Sequence, residues 1–121
     1  MDLTGKNVFL SGPMTNQPHC GVEAFARAHA IVKEHGARYV YNPANEYLTS
    51  SYQADAKPHE WWMRQCLMSL LRPTRCDEHP YFDYLISLHD WQKSDGARLE
   101  RDVAMACGIK CIHISEVSDE G

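Results

Sequence analysis

Leu85-Ile86-Ser87-Leu88-His89-Asp90-Trp91-Gln92-Lys93-Ser94-Asp95-Gly96-Ala97-Arg98-Leu99-Glu100 is the stretch from which the rest of the chain can be read. It opens as an apolar run short enough for a buried strand, crosses polar residues with a Ser and a Gly, and enters a helical pattern that runs to Gly108. Strand, site loop and helix follow in that order. Glu100 does not fit a purely structural account of the helix. Its face neighbours would be Gly96, Ala97, Val103, Ala104 and Cys107, all apolar or small, whereas Arg98, Arg101 and Asp102 lie around the other side. A carboxylate aimed at a core either pairs with a buried base, for which Arg64 is a candidate, or faces a cavity in which it has chemistry to do.

The same alternation recurs upstream. Lys6-Asn7-Val8-Phe9-Leu10 is a β-prone run that stops at Ser11-Gly12-Pro13-Met14-Thr15, a small-residue turn of the kind that offers backbone N–H groups to an anion or a sugar hydroxyl. A helix is predicted from about Val22 to His35, with Val22, Phe25, His29 and Val32 at helical spacing and Gly36 as its stop. Arg38-Tyr39-Val40-Tyr41 reads as a second strand, closed by Asn42-Pro43-Ala44-Asn45. Glu46 to Lys57 has no clear period and reads as a loop or irregular lid. From Pro58 a helix carries Trp61, Trp62, Met63, Cys66, Leu67, Leu70 and Leu71, apolar enough for a core helix with a subunit interface or for an aromatic wall that stacks a base. Thr74 to Pro80 reads as a surface loop, Ile109 to Ile114 as the last strand, and Ser115 to Gly121 as an acidic tail that frays. Strands alternating with helices imply an α/β domain: a parallel sheet, right-handed crossovers, helices on both faces, and a site at the carboxyl ends of the strands. The turn at Ser11 and the loop from Asp90 to Gly96 then converge on Glu100.

Composition narrows the function classes. The 121 residues suit one domain with one core, 44% hydrophobic and 23% charged. A formal charge of −4 with no basic run argues against a nucleic-acid polymer as partner, so a nucleic-acid ligand would be a monomer. No apolar run is long enough to span a bilayer and no signal-peptide pattern opens the chain, so a cytoplasmic protein is expected. The five cysteines, Cys20, Cys66, Cys76, Cys107 and Cys111, are scattered and read as reduced thiols. Neither Cys107 and Cys111 with His113 nor Cys76 with His79 has zinc-site spacing, and neither a metal nor a cofactor is expected.

Three motifs, Phe9-Leu10-Ser11-Gly12-Pro13-Met14-Thr15, Tyr41-Asn42-Pro43-Ala44 and Trp91-x-x-Ser94-x-Gly96-Ala97-x-x-Glu100, resemble a family of small phage and prophage proteins of undefined function. That family looks related to the nucleoside 2-deoxyribosyltransferases and the deoxynucleoside 5′-monophosphate N-glycosidases, over about Val8 to Ile114. The resemblance implies a three-layer, Rossmann-like (flavodoxin-like) fold of four to five parallel strands. It further implies a nucleoside or nucleoside 5′-monophosphate as substrate, and a homodimer or homotetramer in which a neighbour completes the site. Glu100 matches the glutamate nucleophile of the enzymes, Ser94 a phosphate-contacting serine, and Ser11 and Gly12 the loop that holds sugar and phosphate. Pro13, Met14, Asn42, Trp91 and Gly96 belong to the same motifs and are expected to bind substrate, and Asp83, which matches an aspartate ahead of the third strand, is with Asp90 and Asp95 a candidate proton donor. Two positions depart from the enzymes: Phe9 stands where they place an orienting tyrosine, and Cys66 where they place an acid.

A retaining cleavage of an N-glycosidic bond needs a carboxylate at the anomeric carbon and a proton or hydrogen bond for the departing base. Glu100 suits the first role, and an early position in its helix would favour the ionised form through the helix dipole. A non-catalytic protein that sequesters or senses nucleotides with the same pocket is the alternative expectation.

Overall fold

The computed structural model describes residues 1–14, 21–45, 58–74 and 78–118. Four strands form one sheet: β1 (Asn7–Ser11), β2 (Tyr39–Tyr41), β3 (Tyr84–Ser87) and β4 (Lys110–His113). Their order is β2-β1-β3-β4 and every pairing is parallel, with Val8 opposite both Val40 and Tyr84 and Ser11 opposite Ser87. The helices are α1 (Val22–Glu34), α2 (His59–Leu70), α3 (Asp95–Ala106) and α4 (Ile114–Val117), with a short 3-10 turn at Trp91–Lys93 before α3. Helix α1 stops against Gly36 and the third strand leads into α3, as periodicity indicated.

Alternation along the strands sorts the core into two halves. Val8 and Leu10 point to one face of the sheet, where they meet Phe25 and Val32 of α1, Ile86, Ile112 and Ile114. Phe9 and Leu85 point to the other, against Cys66 and Leu70 of α2, Ala104 of α3 and Phe82. Helices therefore cover both faces. Phe9 stacks on Tyr41 with ring centroids 4.7 Å apart and meets Phe82 edge-on at 5.4 Å, so this position is a packing anchor. Burying a side chain of that size stabilises the fold by about 1.5–3 kcal/mol.

As far as Ser118, the last described residue, the chain after β4 departs from the expected fraying. Ile114–Val117 is a helical turn with Ile114 and Val117 buried, started by a capping box in which the His113 N–H donates to Glu116 at 2.6 Å. Two apolar side chains three residues apart outweigh the acidic composition of this segment. The expected lid at Glu46 to Lys57 lies outside the described residues, as do Cys20, Cys76 and part of the Thr74 to Pro80 loop. No helix among the described residues is long and apolar enough to cross a membrane.

Candidate functional site

Phe9 faces α2 and α3, so two residues on, at the carboxyl end of β1, Ser11 faces them too. From the other side α3 presents a buried stripe of Ala97, Glu100 and Ala104. The two surfaces meet in a hydrogen bond: Ser11 Oγ donates to Glu100 Oε1 at 2.6 Å, both side chains buried. The Cys66 thiol of α2 is a second hydrogen-bond partner of the same carboxyl group. No cation pairs with Glu100 among the described residues, and Arg64 is exposed, so the buried ion pair is not its explanation.

Burial without a counter-charge sets the electrostatics. Loss of solvation pushes the Glu100 carboxyl from 4.5 up to about 7, and the hydrogen bonds from Ser11 and Cys66 only partly oppose it. The expectation that the helix dipole would favour ionisation is thereby corrected. Glu100 is the sixth residue of α3, beyond the first turn in which the dipole acts, and desolvation outweighs what remains.

Glu100 closes the inner end of a small cavity of about 40 Å³, room for a few waters or for the reacting atoms of a larger ligand. Gly12 and Met14 wall it from the β1 loop, Pro43 from the turn after β2, Trp62, Met63 and Cys66 from α2, and Ser94, Gly96 and Ala97 from the start of α3, with His59 also in the lining. Ser94 is the N-cap of α3, where its hydroxyl accepts the Ala97 N–H at 3.2 Å. The first turn of α3 thus opens on the cavity, and its N–H groups suit an anion. Gly12 is needed for close approach, whereas Gly96 faces a flexible side chain that can give way. A Cβ on Gly12 would stand 2.9 Å from Leu88 Cβ, and one on Gly96 3.0 Å from Met63 Sδ.

Of the residues expected from the sequence, Glu100, Ser11, Gly12, Met14, Ser94 and Gly96 are brought together here. Asp83, Asn42, Trp91 and Pro13 are not. Asp83 lies at the amino edge of the sheet, where Oδ2 accepts the Asn7 N–H at 2.8 Å. Asn7 and Ser11 are four strand residues apart, about 13 Å, so Asp83 cannot reach a group held by Glu100. Asn42 is spent on structure: Oδ1 accepts the Ala44 N–H at 3.0 Å and Nδ2 lies 3.3 Å from His29 Nδ1, the contact that accounts for His29 on its helical stripe. The Trp91 ring packs under the Arg101 guanidinium, 4.8 Å from its centroid, and does not line the cavity. Pro13 lines a different cavity on the other side of the sheet. His59 and Met63 were missed as lining residues, and Cys66 as a partner of Glu100.

A family model described as a domain of unknown function, DUF4406, matches residues 6–113. The chain belongs to the DUF4406 family. The matched span runs from just before β1 to the end of β4, so the whole sheet and every described residue of the Glu100 cavity lie within the DUF4406 domain. No curated protein matches the chain. Among the described residues no group of three or more His, Cys, Asp or Glu side chains is placed to hold a metal ion.

Proposed function

We propose that this DUF4406 domain cleaves or transfers the N-glycosidic bond of a nucleoside or nucleoside 5′-monophosphate, with Glu100 as nucleophile. The observation that carries the reading is a buried carboxyl group with no cationic partner, held by Ser11 and Cys66 at the end of a cavity. Such a group costs stability at neutral pH and needs a functional reason. The reading also rests on the motif resemblance, in which Glu100, Ser94 and the Ser11-Gly12 turn occupy matching positions, and the parallel order β2-β1-β3-β4 is compatible with a flavodoxin-like layout.

In the proposed reaction Glu100 attacks C1′ of the sugar, the C1′–N bond breaks, and the base leaves with that bond's electron pair. His59 is the described lining residue suited to give the base its proton. Water, or a second base, then attacks C1′ and releases Glu100, with the neutral His59 ring accepting the incoming proton. Ser94 and the first-turn N–H groups of α3 would hold a 5′-phosphate without a basic surface, in keeping with a net charge of −4.

One observation favours a second reading. With its carboxyl pushed up to about 7, Glu100 is largely protonated below neutrality and can donate a hydrogen bond, as a nucleotide-binding protein without turnover would use it. Incubation with a panel of nucleosides and monophosphates separates the two. Free base lost in Glu100→Gln supports cleavage, whereas thermal stabilisation by a nucleotide with no base released supports binding alone.

A further inference from the structure

A second and larger cavity, about 220 Å³, lies on the opposite face of the sheet from Glu100. Its position follows from topology. β1 leads into α1 on one face and β3 leads through its loop to α3 on the other, so the chain diverges at the carboxyl ends of adjacent strands. In open parallel sheets the crevice outside such a switch point is where ligands bind. One wall comes from the β1 loop and the start of α1, through Pro13, Gly21, Ala24 and Arg27, and the facing wall from Leu88 and His89 after β3.

The chemistry of the crevice is two-sided. Its floor is apolar, built from Ala28, Ile31, Leu88 and Ile114. Its rim carries one fixed cation, Arg27. Arg27 has no hydrogen-bond or ion-pair acceptor among the described residues, and His89 sits against His113 with ring centroids 4.9 Å apart. Asp90, the one carboxylate among the described lining residues, lies 3.5 Å from Lys93 in an exposed pair. Helix α1 starts at Gly21 with left-handed backbone and, among the described residues, no side-chain cap on its first turn. A side chain at Gly21 would be strained there and would place its Cβ 2.9 Å from the Pro13 carbonyl oxygen.

We infer that this switch-point crevice is a second ligand site, for a small organic phosphate ester whose anionic head meets Arg27 and whose compact apolar body lies on Ile31, Leu88 and Ile114. The volume is below the roughly 300 Å³ at which drug-sized pockets begin, which limits the ligand to a single small ring or short chain beside its phosphate. The inference is independent of the chemistry at Glu100, because none of the described residues lining one cavity lines the other.

Phenyl phosphate is a suitable probe, with inorganic phosphate and phenol as its two halves. Binding is followed by amide shifts in ¹⁵N-correlated NMR spectra of the full chain and its Arg27→Gln and Glu100→Gln variants. The expected result is saturable shifts at Ala24, Leu88 and His89, with phenyl phosphate binding more tightly than either half. Arg27 is exposed, so its replacement leaves the fold intact, and loss of a charge-assisted contact should weaken phenyl phosphate about tenfold or more. Glu100→Gln should leave its affinity unchanged. The inference is overturned by no shifts in the crevice, by equal affinity in Arg27→Gln, by inorganic phosphate binding as tightly as the ester, or by shifts confined to Gly96 and Ala97. Absence of glycosidase activity would not bear on it.

Discussion

Replacing Glu100 with Gln should stabilise the fold at pH 8 and leave it nearly unchanged at pH 4. In the folded chain the carboxyl is pushed from 4.5 up to about 7. Between those values the folded state holds a proton that the unfolded state has released, so stability falls as pH rises through this window and is level again above it. At about 1.4 kcal/mol per pH unit, the interval corresponds to about 3 kcal/mol, or roughly 10 °C in Tm for a domain of this length. Glutamine keeps the shape and an acceptor for Ser11 but carries no charge to desolvate. Urea unfolding of both proteins at a series of pH values reads the difference directly, because other titrating groups cancel. A stability difference that stays flat between pH 4 and pH 8 would refute the claim that Glu100 is buried without a counter-charge.

Ser11→Ala removes a donor that favours the charged form, so the pH midpoint of any Glu100-dependent activity should rise, by about one unit for a hydrogen bond to a charged group; an unmoved midpoint in a kcat/KM profile would show that the 2.6 Å contact is not made in solution. Cys66→Ser should keep the second donor and the profile, whereas Cys66→Ala should move it in the same direction as Ser11→Ala, and a shift in neither would deny the thiol its role. Gly12→Ala should cost about 1–3 kcal/mol in denaturant unfolding because its Cβ meets the backbone-proximal Leu88 Cβ. Gly96→Ala meets only the flexible Met63 and should leave stability unchanged or improved while narrowing the cavity, seen as weaker nucleotide binding. Asp83→Asn should leave turnover unchanged, since its role is to accept the Asn7 N–H; a large loss of activity would restore it to the site.

Much of the layout was legible because it rests on local patterns. Helical spacing put Glu100 on the Ala97 and Ala104 face, and that face is buried. The Ser11 contact, 89 residues away in sequence, was not stated, although strand alternation contains it: Phe9 is core, so Ser11 shares its face. Resemblance alone points to Asp83, whereas topology sets a residue ahead of a strand at the amino edge of the sheet, away from the carboxyl edge where Glu100 and Ser11 meet. The tertiary contacts of Asn42 and Trp91, to His29 and Arg101, are not legible in their motifs. An Asn before Pro often bonds to its own turn, and that signal was present. The rise in the Glu100 carboxyl could not be read from spacing, because it depends on how completely α2 and β1 exclude water.

The most direct test of the central claim is chromatography of purified protein incubated with deoxynucleoside 5′-monophosphates, the four common bases in parallel, beside Glu100→Gln. The account predicts free base from at least one monophosphate, with a rate that rises with pH through about 7 as Glu100 ionises, and no base from the variant. Base release that persists undiminished in Glu100→Gln, or no release from any nucleoside or monophosphate across that pH range, would contradict it.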